Sequence, residues 1–487
     1  MKNCEINKNT LYFAIFISTL VSFFSYHLQN PSPKVNWEGV ELFSPTGTWP
    51  ATSTEPEVYW MLAENLIEKK AFCDSPNRSF HWAPNTIKSN QYEANIARVP
   101  GYPFFIAICQ KMSSWINLDH TKQVFIVVCS NYLFYIGIAI YSILLLSNFF
   151  SFSNKKLYLF IIILCIHPVY ITRSSGIQPE IITSFFVIAG IFHYTQLKIK
   201  TCRRGLFFHS FFSIVFTISA LMCRANVFIF IYAFFFLYVV LEFPKQKKQL
   251  ICMSVVFIIT FASMFIWAKR NHTLTGRYFM SNYGGLILMQ NHIQASQEEY
   301  WNNDEMHQFL IKKLEGGRTG LEAFSDLDAQ IQKETFHYIA VHPVNSIKTT
   351  MRSFYNKFMQ AYFNVYDFVI SKYCSIDFVD SNHVDNKDLK GLFQFGFYYF
   401  LKILEKLYLA LHLLCFIIFP FFILKSKKFL SLYLASFLFV VTMAFLTNHL
   451  NRMVAPIIPI TSVFIIYEIG FIFNIGFKRL VRHEVKK

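Results

Sequence analysis

Charge is scarce in this chain of 487 residues: Asp, Glu, Lys and Arg make up 15% of it, where soluble domains carry about a quarter. That shortage excludes an ordinary water-soluble globule. Acids are the rarer sign, 29 against 45 basic residues, for a net +16. The basic residues collect in short runs between apolar segments, so the excess reads as topology signal and lipid-phosphate contact and gives no case for a nucleic-acid partner. No two of the ten cysteines stand in CxxC spacing, and Cys109, Cys129, Cys165 and Cys252 lie inside apolar runs. Neither a zinc site nor a disulfide framework is indicated. Neither half of the chain repeats the other, a device many secondary transporters use, and the middles of most apolar runs lack charge. Both absences count against a lipid or solute transporter.

What remains is apolar and aromatic: 54% of residues are hydrophobic, 57 are Phe, and mean hydropathy is +0.35. An all-α polytopic membrane protein is predicted, a bundle of about ten or eleven spanning helices. Candidate spans are Leu11–Leu28, Val124–Phe149, Leu157–Thr172, Ile181–Leu197, Leu206–Met222, Val227–Leu241, Ile251–Trp267, Leu407–Leu424, Phe429–Thr447 and Val454–Phe473. The first lacks a small-residue cleavage site and reads as a retained anchor. Three regions follow: 1–268 with a first outer loop at 28–100, a large extracytoplasmic loop at 269–394, and 395–487 with further helices and a basic tail.

The dense basic runs (Lys155-Lys156, Lys198 to Arg204, Lys245 to Lys248, Lys425 to Lys428, and from Lys478) fall on one side if these spans alternate. Both termini are then cytoplasmic and both long loops extracytoplasmic. This holds only if residues 101–116 lie along the outer interface without crossing. Pro100 and Pro103 at the start, with Lys111, Trp115 and Asp119 near the exit, suit an interfacial helix. Within the large loop, the stretch from Leu327 has helical spacing and reads as a small helical cap.

Candidate chemistry gathers at the outer edge. Glu55 and Glu57 flank Pro56 at the start of an amphipathic helix with Tyr59, Leu62, Ala63 and Leu66 on one face. Helix N-termini favour such anions. Glu180 opens another helix after Pro179, with no cation in its own helix nearby, and Arg173 stands in the preceding turn. Acids at a membrane edge carry a cost, so they tend to have a purpose. Arg98, Arg224, Arg270 beside Asn271, and Arg452 lie at predicted outer helix ends. Guanidinium forks match phosphate oxygens. An anionic headgroup combined with acid–base work is the implied chemistry.

In order, these residues form a set of short motifs. They are Glu55-x-x-x-Tyr59-x-x-x-Ala63-x-Asn65-Leu66, Arg98-x-Pro100-Gly101-Tyr102-Pro103, Pro168 to Glu180, Leu221-x-x-Arg224, Trp267-x-x-Arg270-Asn271, and Asn451-Arg452 before Pro456 and Pro459. The set resembles the polyprenyl-phosphate-sugar-dependent membrane glycosyltransferases of the GT-C class. It is similar to protein O-mannosyltransferases and lipid A aminoarabinose transferases, and more distantly to oligosaccharyltransferase catalytic subunits. Such families usually have Asp or Asp-Glu at the first acidic site. This chain has two Glu residues, each one methylene (about 1.5 Å) longer, so Glu55 and Glu57 are both candidates. Met453-Val454 stands where an aromatic is often found.

The resemblance implies an inverting transfer from a polyprenyl-phosphate sugar donor to a glycan, lipid or protein acceptor at the extracytoplasmic face of a bacterial inner membrane, serving cell-envelope glycan. Glu55, Glu57 and Glu180 form the implied catalytic set; Tyr59, Arg98, Tyr102, Arg173, Arg224, Arg270, Asn271 and Arg452 bind substrate. Mg²⁺ or Mn²⁺ would find oxygen ligands in the two acidic loops, whereas other members of the class act without metal; the sequence leaves both open. A polymerase or ligase of prenyl-diphosphate-linked glycans is the alternative enzyme.

Overall fold

The computed structural model describes residues 8–29, 55–74, 93–118, 120–149, 153–174, 177–282, 284–292, 321–359, 403, 406–414, 416–418, 429–446, 455–463 and 465. The chain is an all-α polytopic membrane protein. Four helices among the described residues are long and apolar enough to cross a membrane: Lys122–Phe149, Glu180–Ile199, Arg203–Cys223 and Lys247–Thr275. Apart from one antiparallel pair of two-residue strands, β1 (Cys73–Asp74) and β2 (Glu93–Ala94), the described residues hold no sheet.

The helices follow the apolar runs. They are α1 (Lys8–Gln29), α2 (Glu55–Glu68), α3 (Gly101–Trp115), α4 (His120–Phe149), α5 (Asn154–Cys165), α6 (Pro168–Ser174), α7 (Glu180–Ile199), α8 (Arg203–Cys223), α9 (Phe228–Leu241) and α10 (Lys247–Thr275). In the large loop come α11 (Gly284–His292), α12 (Leu321–Val341) and α13 (Pro343–Met359), and then α14 (Leu430–Leu446). Two expectations need correcting. The run Leu157–Thr172 is not one helix, because α5 ends at Cys165 and α6 begins at Pro168. A residue before proline is pushed out of the helical region, and proline itself suits a helix start. The helical stretch from Leu327 likewise divides at His342-Pro343 into α12 and α13. The ends of the predicted spans beyond 418 and 465 lie outside the described residues.

Helix α7 is the centre of the bundle: 83% of its apolar window is buried inside the protein, against 17% for α10. It packs between α4 and α8. Gly190 lets α8 come close, since a Cβ there would stand 2.9 Å from Thr217 Oγ1, and Ser213 Oγ donates to the Gly190 carbonyl at 3.1 Å. Small residues at such crossings are how helices approach in lipid. The turn between α7 and α8 is clasped from α10, where Gln249 Nε2 donates to the carbonyls of Lys198 (2.8 Å) and Lys200 (3.0 Å).

Two apolar clusters result. The larger runs through α4, α5, α7, α8, α9 and α14 and includes Tyr135, Phe160, Tyr194, Phe234 and Phe439. The smaller sits at the end of the bundle where α4 and α7 begin and α8 finishes. It joins Tyr59, Trp60 and Ala63 of α2 to Tyr102, Ile106 and Ala107 of α3, with Val124, Val127, Ile182 and Cys223. Helix α3 has 15 residues, about 22 Å at 1.5 Å per residue, well short of a bilayer core of about 30 Å. It buries Tyr102, Ile106 and Cys109 while exposing Phe104, Ile108, Met112 and Trp115, and left-handed Asn117 follows its last turn.

Candidate functional site

The smaller cluster is the floor on which the candidate residues meet. Helix α2 starts at Glu55, so Glu55, Pro56 and Glu57 occupy its first turn; the side chains of the two acids lie outside the described residues. One turn on, Tyr59 and Ala63 face the cluster. Asn65 serves the scaffold: its Nδ2 donates to the Cys73 carbonyl at 2.7 Å and ties β1 back to α2.

The Arg98–Pro103 motif joins α2, α3 and α8. A Cβ on Gly101 would lie 2.5 Å from the backbone carbon of Met222 and 2.8 Å from the Cys223 nitrogen. Only glycine permits this approach, which sets the start of α3 against the end of α8. Tyr102 then turns inward, fully buried, its ring edge-on to Tyr59 at 5.1 Å. Burial raises the Tyr102 pKa well above the usual phenol value; Glu180 and Tyr59 add to this, and Asn131 acts against it. Arg98 sits over the Tyr59 ring, 5.4 Å from its centroid, and the Arg98 backbone N–H donates to Asn95 Oδ1 at 2.9 Å.

Glu180 finds its partner outside its own helix. Arg224 Nη1 donates to Glu180 Oε1 at 2.7 Å, and the two side chains are 11% and 0% exposed, so this is a buried ion pair. The sequence contained the signal. Helices α7 and α8 have 20 and 21 residues with a short connection, so an antiparallel hairpin brings the first residue of one to the last of the other. Arg173 is also buried at this end, and its Nη1 donates to Gln178 Oε1, two residues before Glu180.

Arg270 and Asn271 are joined to the scaffold. Arg270 Nη1 donates to the Asn95 carbonyl (2.7 Å) and to Asn271 Oδ1 (2.8 Å), and Nη2 donates to the Phe72 carbonyl (3.4 Å). Its guanidinium stacks on Trp267, 4.7 Å from the centroid. Asn271 is fully buried and donates to the Phe279 carbonyl at 2.9 Å. Asn282 N–H and Ser281 Oγ reach the carbonyls of Ile96 (3.1 Å) and Ala97 (2.5 Å). The chain leaving α10 is thereby stitched to the segment just before Arg98. Arg452 lies outside the described residues. The chain that follows it docks nearby, with Tyr170 Oη of α6 donating to the Ala455 carbonyl at 2.8 Å.

The arrangement thus brings together Tyr59, Arg98, Tyr102, Glu180 and Arg224, with Arg173 beside them and Arg270 fixing the adjoining loop. Sequence reasoning did not mark Asn131, fully buried on α4 next to Tyr102; an amide inside an apolar run was its only trace. Among the described residues no group of three or more His, Cys, Asp or Glu gathers as a metal site, and Glu180 faces a guanidinium.

No family model matches the sequence. No curated protein matches it. Among solved structures it is similar to the archaeal oligosaccharyltransferase AglB from Archaeoglobus fulgidus in complex with an inhibitory peptide and a dolichol-phosphate: 13% identity, TM-score 0.48, covering 97% of this chain and 52% of that one. The apo form of the Archaeoglobus fulgidus oligosaccharyltransferase gives 13% identity and a TM-score of 0.49, with the same coverage. The form tethered to an acceptor peptide with the NVT sequon gives 13% and 0.44, covering 95% of this chain and 50% of that one. The chain therefore spans about half the length of these structures. At such identities and scores the likeness bears on neither substrate nor residue roles.

Proposed function

We propose that the chain is a GT-C-type membrane glycosyltransferase that moves a sugar from a polyprenyl-phosphate donor to an acceptor hydroxyl at the extracytoplasmic face. The carrying observation is the assembly of Tyr59, Arg98, Tyr102, Glu180 and Arg224 from distant segments at one bundle end, directly beside the helix start that bears Glu55 and Glu57. A prenyl tail gains about 0.8 kcal/mol per buried CH₂, so such a donor stays in the bilayer and presents its phosphate at the interface.

In this reading Glu55 or Glu57 takes the proton from the acceptor hydroxyl. The oxygen bonds to the anomeric carbon from the face opposite the phosphate, the bond to the phosphate oxygen breaks, and the electron pair leaves with the phosphate, inverting the centre. Arg98, with Arg452 from the C-terminal segment, supplies positive charge toward the leaving group. Glu180 is bonded to Arg224 and closed to solvent, so it has no open route to an acceptor hydroxyl. It acts as a positioning residue, holding Arg224 and the start of α7 behind Tyr102.

General-base assistance is worth about 10²- to 10⁴-fold. Mass spectrometry of membrane lipids and envelope glycans, with and without the gene, identifies the product; transfer from the matching prenyl-phosphate sugar is then measured. Glu55→Gln and Glu57→Gln together should lower the rate by that factor, one single variant accounting for most of it. Undiminished transfer by the double variant would refute the assignment.

A further inference from the structure

Helix α13 carries its apolar residues on the wrong face for a helix in water. Val344, Ile347, Met351 and Tyr355 form one stripe at helical spacing, and all are exposed, at 61%, 62%, 65% and 51%. The residues turned inward are Ser346, Thr349 and Ser353, all buried. An amphipathic helix in water does the reverse, burying its large apolar side chains and exposing its hydroxyls.

Lipid as solvent explains the inversion. Where the surroundings are as apolar as Leu, large side chains gain nothing by turning inward, and small or hydroxyl-bearing residues line helix contacts because they allow close approach. Helix α13 packs chiefly on α14, an apolar helix of 17 residues that offers buried Ser431, Ala435 and Ser436. Phe354 packs against the main cluster, its ring 6.3 Å from Phe416, which belongs to the shorter apolar helix Lys406–Ile418. The helix therefore lies on the lateral wall of the bundle beside two apolar helices. Its 17 residues contain Lys348, Arg352 and Lys357 and no acid. On the helical wheel Lys348 and Arg352 border the exposed stripe on one side, where long basic side chains can run along acyl chains to a phosphate layer.

We propose that α13, within a loop whose composition reads as water-exposed, is embedded in the bilayer: Val344, Ile347, Met351 and Tyr355 contact acyl chains, while Lys348 and Arg352 reach the phosphates of anionic lipids. The proposal is independent of sugar transfer. It is tested with the full chain in nanodiscs of phosphatidylethanolamine and phosphatidylglycerol in equal parts. The photocrosslinker p-benzoylphenylalanine replaces Ile347 or Met351, two exposed positions that tolerate the exchange, with Thr349 on the packed face as control.

Adducts of phospholipid mass at 347 and 351, with adducts inside the protein at 349, are expected. Adducts at 347 and 351 to this chain, to a second copy, or to neither lipid nor protein would each overturn the proposal. Lys348→Gln with Arg352→Gln should reduce phosphatidylglycerol relative to phosphatidylethanolamine among the adducts by about fivefold per charge, the factor that about 1 kcal/mol per basic residue at an anionic surface gives. An unchanged ratio would remove the headgroup part of the assignment.

Discussion

Breaking the Glu180–Arg224 pair gives the sharpest test of the site's architecture. At 2.7 Å between nitrogen and oxygen, an effective dielectric of about 20 puts the attraction near 6 kcal/mol. Desolvation of both groups offsets much of that, whereas removing a single partner leaves the other charge buried alone, at a cost of about 3–5 kcal/mol. Arg224→Met and Glu180→Gln should therefore each lower the thermal midpoint, followed by fluorescence-detected size exclusion in detergent. The double replacement Glu180→Leu with Arg224→Met removes both charges and should lose less than either single variant. The singles also differ in kind. A stranded carboxylate can take up a proton, whereas a stranded guanidinium cannot release one. Mild acid should thus restore much of the midpoint of Arg224→Met and little of that of Glu180→Gln. A double variant whose loss equals the sum of the singles, with no difference in acid, would refute the argument.

Gly101→Ala forces a methyl against the α8 backbone and should cost about 1–3 kcal/mol by overpacking, read as a lower midpoint together with reduced transfer. Arg270→Lys keeps the charge but loses the fork that reaches two loop carbonyls; hydrogen bonds from charged groups are worth about 1.5–3 kcal/mol, so amide exchange at 72–74 and 93–97, read by mass spectrometry, should quicken. Asn271 opens an Asn-His-Thr sequon, yet its amide is buried and engaged. Expression in a glycosylating host should leave it unmodified, as peptide mass spectrometry would report.

Much of the helical layout was legible because apolar run length is a local property. The runs that became α4, α7, α8 and α10 needed no knowledge of their neighbours. The break at His167-Pro168 was written in the sequence too, as proline chemistry, but hydropathy averaging smooths it away. The site was half legible. Arg98, Tyr102, Glu180 and Arg224 stood out as polar groups at span edges, yet which acid meets which base depends on hairpin geometry across 44 positions. Arg270 illustrates the opposite failure: a helix-end arginine looks the same in sequence whether it greets a phosphate or two backbone carbonyls. Nor could composition reveal α13, since averaging over its residues hides which face is turned outward.

The two apolar clusters share Phe134 and Phe186 as partly buried members of both, and these rings stand 5.7 Å apart. Among the described residues these two rings are what the two apolar clusters hold in common, while α3 also packs on α4 and α8. Such a layout favours a cooperative unit that opens below the global unfolding threshold. In amide exchange, α2 and α3 should lose protection together while α7 still holds its protons, letting the end of the bundle that carries the candidate residues loosen and re-form without dissolving the helices beneath it.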